Sequence, residues 1–207
     1  RLLGKRLDAH FFVSEVASGH AVEGCNYLLA TDMEMEVVPG YGIASWERGY
    51  GDFDLRPDLA TLRRIPWLEG TALLLCDVHW HDGTPVAPSP RQVLRAQIER
   101  VRRMGFEPMM ASELEFYLYA ESFEQARASH FRGLTPSVPY LLDYHLLATT
   151  YDEPLLRRMR LGMRSAGLEV ESSKGEAGAG QHEINFRYAD ALTAADQHTI
   201  FKQGAKE

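Results

Sequence analysis

The spacing of apolar and polar residues changes character along the chain. Residues 1 to about 86 carry short apolar runs and no long helical stripe. Phe11-Phe12-Val13 and Asn26-Tyr27-Leu28-Leu29-Ala30 are brief, and residues 33–38 begin with a period of two, so this part is predicted to be rich in strands. Residues 39–51 hold Gly40, Gly42, Gly49 and Gly51 and read as a loop. Residues 73–78 form the strongest buried-strand pattern, and His81-Asp82-Gly83-Thr84 after them is a hairpin-type turn. Pro85, Pro88 and Pro90 then crowd together and set a domain boundary near residue 87, dividing the chain into 1–86 and 87–207.

Beyond the boundary the period lengthens. Ser89 and Pro90 open a helix whose apolar face is Leu94, Ile98 and Val101, and Gly105 closes it. Residues 109–119 read as one long strand. A second helix starts at Asp152 and Pro154, carries Leu155, Met159 and Met163 on one side, and stops at Gly167. A strand over 168–171, a glycine-rich loop over 175–180, a strand over 181–188 and a helix over 193–206 complete the pattern.

Composition narrows the class. With 45% hydrophobic and 25% charged residues in 207, the chain is of globular type. Its net charge of −7 argues against a general nucleic-acid binder. No apolar run approaches the roughly 20 residues of a membrane-spanning helix. Two cysteines, Cys25 and Cys76, make no disulfide framework, and a reduced, cytoplasmic setting is expected. The chain begins at Arg1 and stops at Lys206-Glu207 directly after a helix pattern, so it is expected to be a piece of a longer protein.

Two segments carry candidate chemistry. In Glu113-Leu114-Glu115-Phe116-Tyr117-Leu118-Tyr119, strand alternation puts Leu114, Phe116 and Leu118 on one face and both carboxylates on the other. Like charges on one face repel, and an oxygen-seeking divalent cation is one remedy; a half-exposed polar face is the plain alternative. In Glu176-Ala177-Gly178-Ala179-Gly180-Gln181-His182-Glu183, a glycine-rich turn can bring Glu176 toward Glu183, although an ordinary hairpin reads the same way. No Gly-Lys-Ser/Thr follows the glycines, and they lie between two strands, so this is neither a P-loop nor a dinucleotide fingerprint.

Together these segments resemble the glutamine synthetase family, over nearly the whole chain. Residues 52–61, Asp-Phe-Asp-Leu-Arg-Pro-Asp-Leu-Ala-Thr, are similar to its Asp-x-x-x-x-Pro-Asp-x-x-Thr segment, and Pro66-Trp67 follows. Cys76-Asp77, Asp82-Gly83 and Pro90-Arg91 resemble its link into the catalytic domain. Residues 113–117 resemble its Glu-x-Glu-Phe-aromatic strand, residues 176–183 its Glu-x-Gly-x-Gly-Gln-x-Glu signature, and residues 189–196 its next helix entry.

The resemblance implies an α+β fold. An incomplete N-terminal β-grasp domain (1–86) would precede the first part of a glutamine synthetase-type catalytic domain (87–207), an antiparallel sheet with helices. It implies an ATP-dependent ligase that phosphorylates the side-chain carboxylate of glutamate and lets ammonia or an organic amine displace the phosphate. The alternative is a non-catalytic member kept for structure or regulation. Glu115, Glu176 and Glu183 would hold one Mg²⁺ or Mn²⁺, Glu113 would contribute to a second, and Glu171 and Tyr188 would contact ATP. No catalytic residue is assigned. The whole protein would form a homo-oligomeric ring. The remaining metal ligands and the arginines that grip phosphate would lie downstream, so these 207 residues alone are expected to lack ligase activity. One departure concerns the acceptor: ammonia-using members carry an Asp early in the glycine-rich loop, and residues 38–42, Val-Pro-Gly-Tyr-Gly, have none, leaving only the later Asp52. This favours an organic amine, as in the γ-glutamyl-polyamine synthetase-like branch.

Other features have plainer readings. His79 and His81 share a spacing that could serve zinc, but a further ligand is missing, and a strand end entering a turn is preferred. His182 points away from Glu183 and reads as structural. Arg157, Arg158, Arg160 and Arg164 read as a solvated helix face or subunit contact, and the cysteines as packing residues.

Overall fold

The structure, a computed structural model, describes residues 2–45, 47, 49–141 and 143–207. Trp46 and Arg48, within the loop expected over 39–51, lie outside the described residues. The chain divides into two compact units: the residues up to Arg63 with Ala72–Pro108, and Arg64–Thr71 with Met109–Glu207.

The first unit is built on a three-stranded sheet in the order β1-β2-β3: β1 (Val22–Cys25), β2 (Asp52–Arg64) and β3 (Ala72–His79). β1 and β2 run antiparallel, with Val22 opposite Leu55 and Cys25 opposite Asp52. Phe53, Val78 and Val86 form the buried core, flanked by Leu28, Leu29, Ile43, Leu55 and Trp80.

Three expected strands in this part are absent. Residues 9–14 form helix α1 (Ala9–Ser14), because Asp8 Oδ1 caps it by accepting from the amides of His10 (2.9 Å) and Phe11 (3.1 Å). Residues Asn26–Leu29 form a 3₁₀ turn, held by the buried Asn26, whose Nδ2 donates to Ile43 O at 3.0 Å and whose Oδ1 accepts from Gly51 N at 3.3 Å. Residues 33–38 make only the isolated bridge Thr31–Val37: Asp32 Oδ1 accepts from the amides of Glu34 (2.8 Å) and Glu36 (3.0 Å), and Met35 turns to φ +68°. The expected turn after β3 is present, with Gly83 at φ +87° and Trp80 N donating to Thr84 O at 2.8 Å.

Helix α2 (Pro90–Arg103) has Pro90 in its first turn, as expected. It ends in a Schellman motif: Gly105 takes φ +86°, its N–H reaches Arg102 O (2.9 Å), and Phe106 N reaches Val101 O (3.3 Å). Arg91 ties the helix to the sheet, donating to Asp77 Oδ1 and Asp58 Oδ2 at 2.7 Å each, and Arg95 joins the same two carboxylates.

The second unit contains β4 (Met109–Met110), β5 (Glu115–Tyr117), α3 (Phe123–Ala128), α4 (Leu146–Thr149), α5 (Glu153–Ser165), β6 (Val170–Gly175), β7 (Gln181–Phe186), β8 (Ala189–Asp190) and α6 (Ala191–Gly204). Its main sheet has the order β5-β7-β6, antiparallel throughout, and β4 pairs separately with β8. The single strand expected over 109–119 is thus two short ones, because its ends pair with different partners. The strand expected over 168–171 instead runs from Val170 to Gly175, with a bulge between Val170 and Ser172. α5 ends as the sequence implies, at Gly167 (φ +85°) with Leu168 N on Met163 O (3.0 Å), although Leu156 rather than Leu155 joins Met159 and Met163 in full burial. Ile184, Ile200 and Phe201 are buried with them, and Phe201 meets Phe186 edge-on at 4.8 Å between ring centroids. Among the described residues no helix is long and apolar enough to cross a membrane.

Candidate functional site

Strand pairing assembles the site. β5 and β7 are registered so that Glu115 stands directly opposite Glu183. Lys174 of β6 stands on the other side of Glu183. The turn from β6 to β7 then brings Glu176 back over the sheet, with its amide donating to Gln181 O at 2.9 Å. One carboxylate oxygen each from Glu115, Glu176 and Glu183 lie within 4.8 Å of one another.

Glycine is required at one place in this turn and closely fitted at another. Gly180 sits at φ +71°, and a Cβ there would come within 2.7 Å of Leu118 O. A Cβ on Gly178 would meet Gln181 Oε1 at 2.6 Å and Tyr117 Oη at 2.7 Å. Gly180→Ala is therefore expected to lower stability by roughly 1–3 kcal/mol and to displace Glu176; chemical denaturation together with a cation titration would measure both effects. Unchanged values would mean that the turn tolerates the side chain.

Polar neighbours aim the carboxylates. Gln181 Nε2 donates to Glu115 Oε2 at 2.8 Å, while Gln181 Oε1 accepts from Gly178 N (2.8 Å) and Tyr117 Oη (2.9 Å). Asn185 Nδ2 donates to Glu183 Oε1. Lys174 Nζ lies 2.5 Å from Glu176 Oε1 and 3.3 Å from Asp143 Oδ1, over the ring of Tyr144 at 4.3 Å.

The electrostatics follow burial. Glu183 is only 3% exposed, and burial pushes its carboxyl pKa up; a hydrogen bond shared with Glu176 and the charges of Glu113 and Glu176 act in the same direction. The Lys174 ammonium holds Glu176 below the usual carboxylate range, and Glu176 in turn raises Lys174. Within the pair the two carboxyls are thus pushed in opposite directions, Glu183 up and Glu176 down. Three hard oxygen donors converging at this spacing fit an Mg²⁺- or Mn²⁺-like ion, with metal–oxygen bonds of about 2.0–2.6 Å. Such an ion would relieve the repulsion among the three carboxylates.

The remaining expected residues lie outside this group of three. Glu113 is exposed, and its charge reaches Glu183. Glu171 is exposed at the bulge of β6, and Tyr188, 60% exposed, follows β7. His182 faces the core, fully buried, with Nε2 2.7 Å from Asp152 Oδ2, which also accepts from Ser137 Oγ. Sequence reasoning missed Lys174 and Gln181 as site residues. The signal for Lys174 was a lone cation two positions before Glu176, on the same strand face. Burial pushes the Cys76 thiol up to about 11, as befits a packing residue.

Comparison with known proteins gives the family of the chain. Residues 87–207 match the model of the glutamine synthetase catalytic domain. A gamma-glutamylethanolamide synthetase of Streptomyces coelicolor is 54% identical over 207 residues, covering 100% of this chain and 45% of that protein. A glutamate–isopropylamine ligase of a Pseudomonas species is 36% identical over 204 residues, covering 99% and 44%. The crystal structure of a glutamine synthase homolog superimposes with a TM-score of 0.77 at 25% identity, over 98% of this chain and 44% of that one. The chain thus spans less than half the length of these two curated relatives.

Proposed function

The chain belongs to the glutamine synthetase family through its catalytic domain, and from that premise we propose that the whole protein is an ATP-dependent ligase joining the side-chain carboxylate of glutamate to an organic amine. The observation that carries this reading is the convergence of Glu115, Glu176 and Glu183 on one point of the sheet. In this reading residues 1–86 belong to an N-terminal β-grasp domain and 87–207 to the first part of the catalytic domain. The three glutamates hold one divalent cation, Glu113 contributes to a second, and Glu171 and Tyr188 contact the nucleotide. The protein works in the cytoplasm as a homo-oligomeric ring.

Such a cation, when bound, neutralises phosphate charge during transfer of the γ-phosphoryl group to the glutamate carboxylate. The amine then attacks the acyl phosphate, and phosphate leaves with the bonding pair. The residues of this chain do the positioning. Gln181 orients Glu115, Lys174 orients Glu176, and the sheet fixes the buried Glu183 directly opposite Glu115.

The acceptor is read from the loop before β2. Ammonium must bind as a cation and lose a proton, and a nearby carboxylate serves both needs. Residues 38–44 offer none. The relatives named for a gamma-glutamylethanolamide product and for an isopropylamine substrate support the same reading. With glutamate and ATP, the whole protein is expected to show a higher kcat/KM for ethanolamine, isopropylamine or a polyamine than for ammonium. A value for ammonium equal to the best organic amine would overturn the assignment.

A further inference from the structure

The first unit repeats, with different donors, the arrangement that assembles the glutamates. In the β1–β2 register Glu23 stands directly opposite Asp54, so two carboxylates face each other across the pair. Like charges in that position are destabilising unless something positive lies between them. Asp54 is 7% exposed, and among the described residues no lysine or arginine is paired with either carboxylate. What reaches them is His81, from the turn after β3. Its Nδ1 lies 2.8 Å from Asp54 Oδ1, and one donor atom each from Glu23, Asp54 and His81 lie within 4.8 Å of one another. Both sites therefore consist of a directly opposed carboxylate pair completed by a third ligand carried in on a turn.

We propose that Glu23, Asp54 and His81 form a second divalent-metal site, selective for transition ions. The donor set decides the class of ion. Glu115, Glu176 and Glu183 offer oxygen alone, which suits Mg²⁺ or Mn²⁺. An imidazole nitrogen with two carboxylates prefers Zn²⁺, Co²⁺ or another first-row ion and leaves open positions for water or a ligand. The exposed His81 can turn toward an arriving ion, while Asp54 and Glu23 are fixed by the sheet. His81 lacked a further ligand in the sequence reading because the structure supplies it from positions 27 and 58 residues away.

The 207-residue chain is titrated with Zn²⁺, and with Co²⁺ followed by its visible absorption, in excess Mg²⁺ to occupy the glutamate site. One Zn²⁺ is expected to bind and to raise the melting temperature. His81→Gln should weaken binding by at least about 10-fold, with the circular dichroism unchanged. Glu183→Gln, which strikes the other site, should leave it intact. Equal Zn²⁺ affinity in His81→Gln and the unsubstituted chain would overturn the proposal, as would loss of the only Zn²⁺ on Glu183→Gln. His81 is exposed, so its variant remains informative even if Asp54→Asn fails to fold. The result does not depend on ligase activity, so the proposed function can stand or fall separately.

Discussion

Glu183→Gln is expected to weaken Mn²⁺ binding on the order of 100-fold while leaving the fold intact. Two physical reasons separate the effects. Glutamine keeps the shape of the side chain and can still hydrogen-bond to Glu176. It cannot ionise, and the site then loses the one carboxylate that is buried at the centre of the sheet, between Glu115 and Lys174. Stability should be unchanged or slightly higher, because a neutral amide replaces a buried acid whose charged form is disfavoured. The titration is best made in the His81→Gln background, by the electron paramagnetic resonance signal of free Mn²⁺. Unchanged affinity with Glu183→Gln would remove the three-glutamate site. In the whole protein the same variant should lower kcat with glutamate, ATP and amine by two orders of magnitude or more, roughly the loss expected for a preorganised charge group.

Arg91→Met is expected to destabilise the first unit by about 3–5 kcal/mol. Arg91 donates to Asp58 and Asp77 at 2.7 Å each, and its side chain is 12% exposed. Removing it leaves two part-buried carboxylates with Arg95 alone, which is more exposed and spans the same pair at 2.8–3.1 Å. The Arg91 guanidinium also holds the Asp58 carboxyl below its usual range. A carboxyl depressed on folding contributes stability above its unfolded pKa, near 3.9, and loses it as pH falls through the lower folded value. The gap between Arg91→Met and the unsubstituted chain should therefore be full at neutral pH and shrink below about pH 4. Urea denaturation at pH 7 and pH 3 would check the magnitude and the sign. A constant gap would mean that Arg91 acts by packing its stem and not by charge.

These two residues also mark where sequence reasoning reached and where it stopped. Glu115, Glu176 and Glu183 could be picked out because strand alternation and a glycine-rich turn are local rules, and because the motif's resemblance tied the segments together. Arg91 was noted only as part of a motif. Its partners lie 14 and 33 residues away, and no periodicity links them.

Local signals determined α2, α5 and α6, as well as the hairpin turn at Gly83, whereas the short helices α3 and α4 were not read from the sequence. Pro90, Gly105 and Gly167 act through dihedral preferences that neighbouring residues cannot override cheaply, and their positive or fixed φ values appear where expected. The same reasoning failed over 9–14, 26–29 and 33–38. There single polar side chains, Asp8, Asn26 and Asp32, bond to backbone groups and turn short apolar runs away from strands. A run of three to six residues is too short for its period to decide between helix and strand, so the capping contact decides. Only the tertiary structure set the strand register, because a shift of one residue would send every side chain to the opposite face. That register places Glu115 against Glu183, Glu23 against Asp54 and Lys174 against Glu183, and the turn after β3 brings His81 to Asp54 across 27 residues.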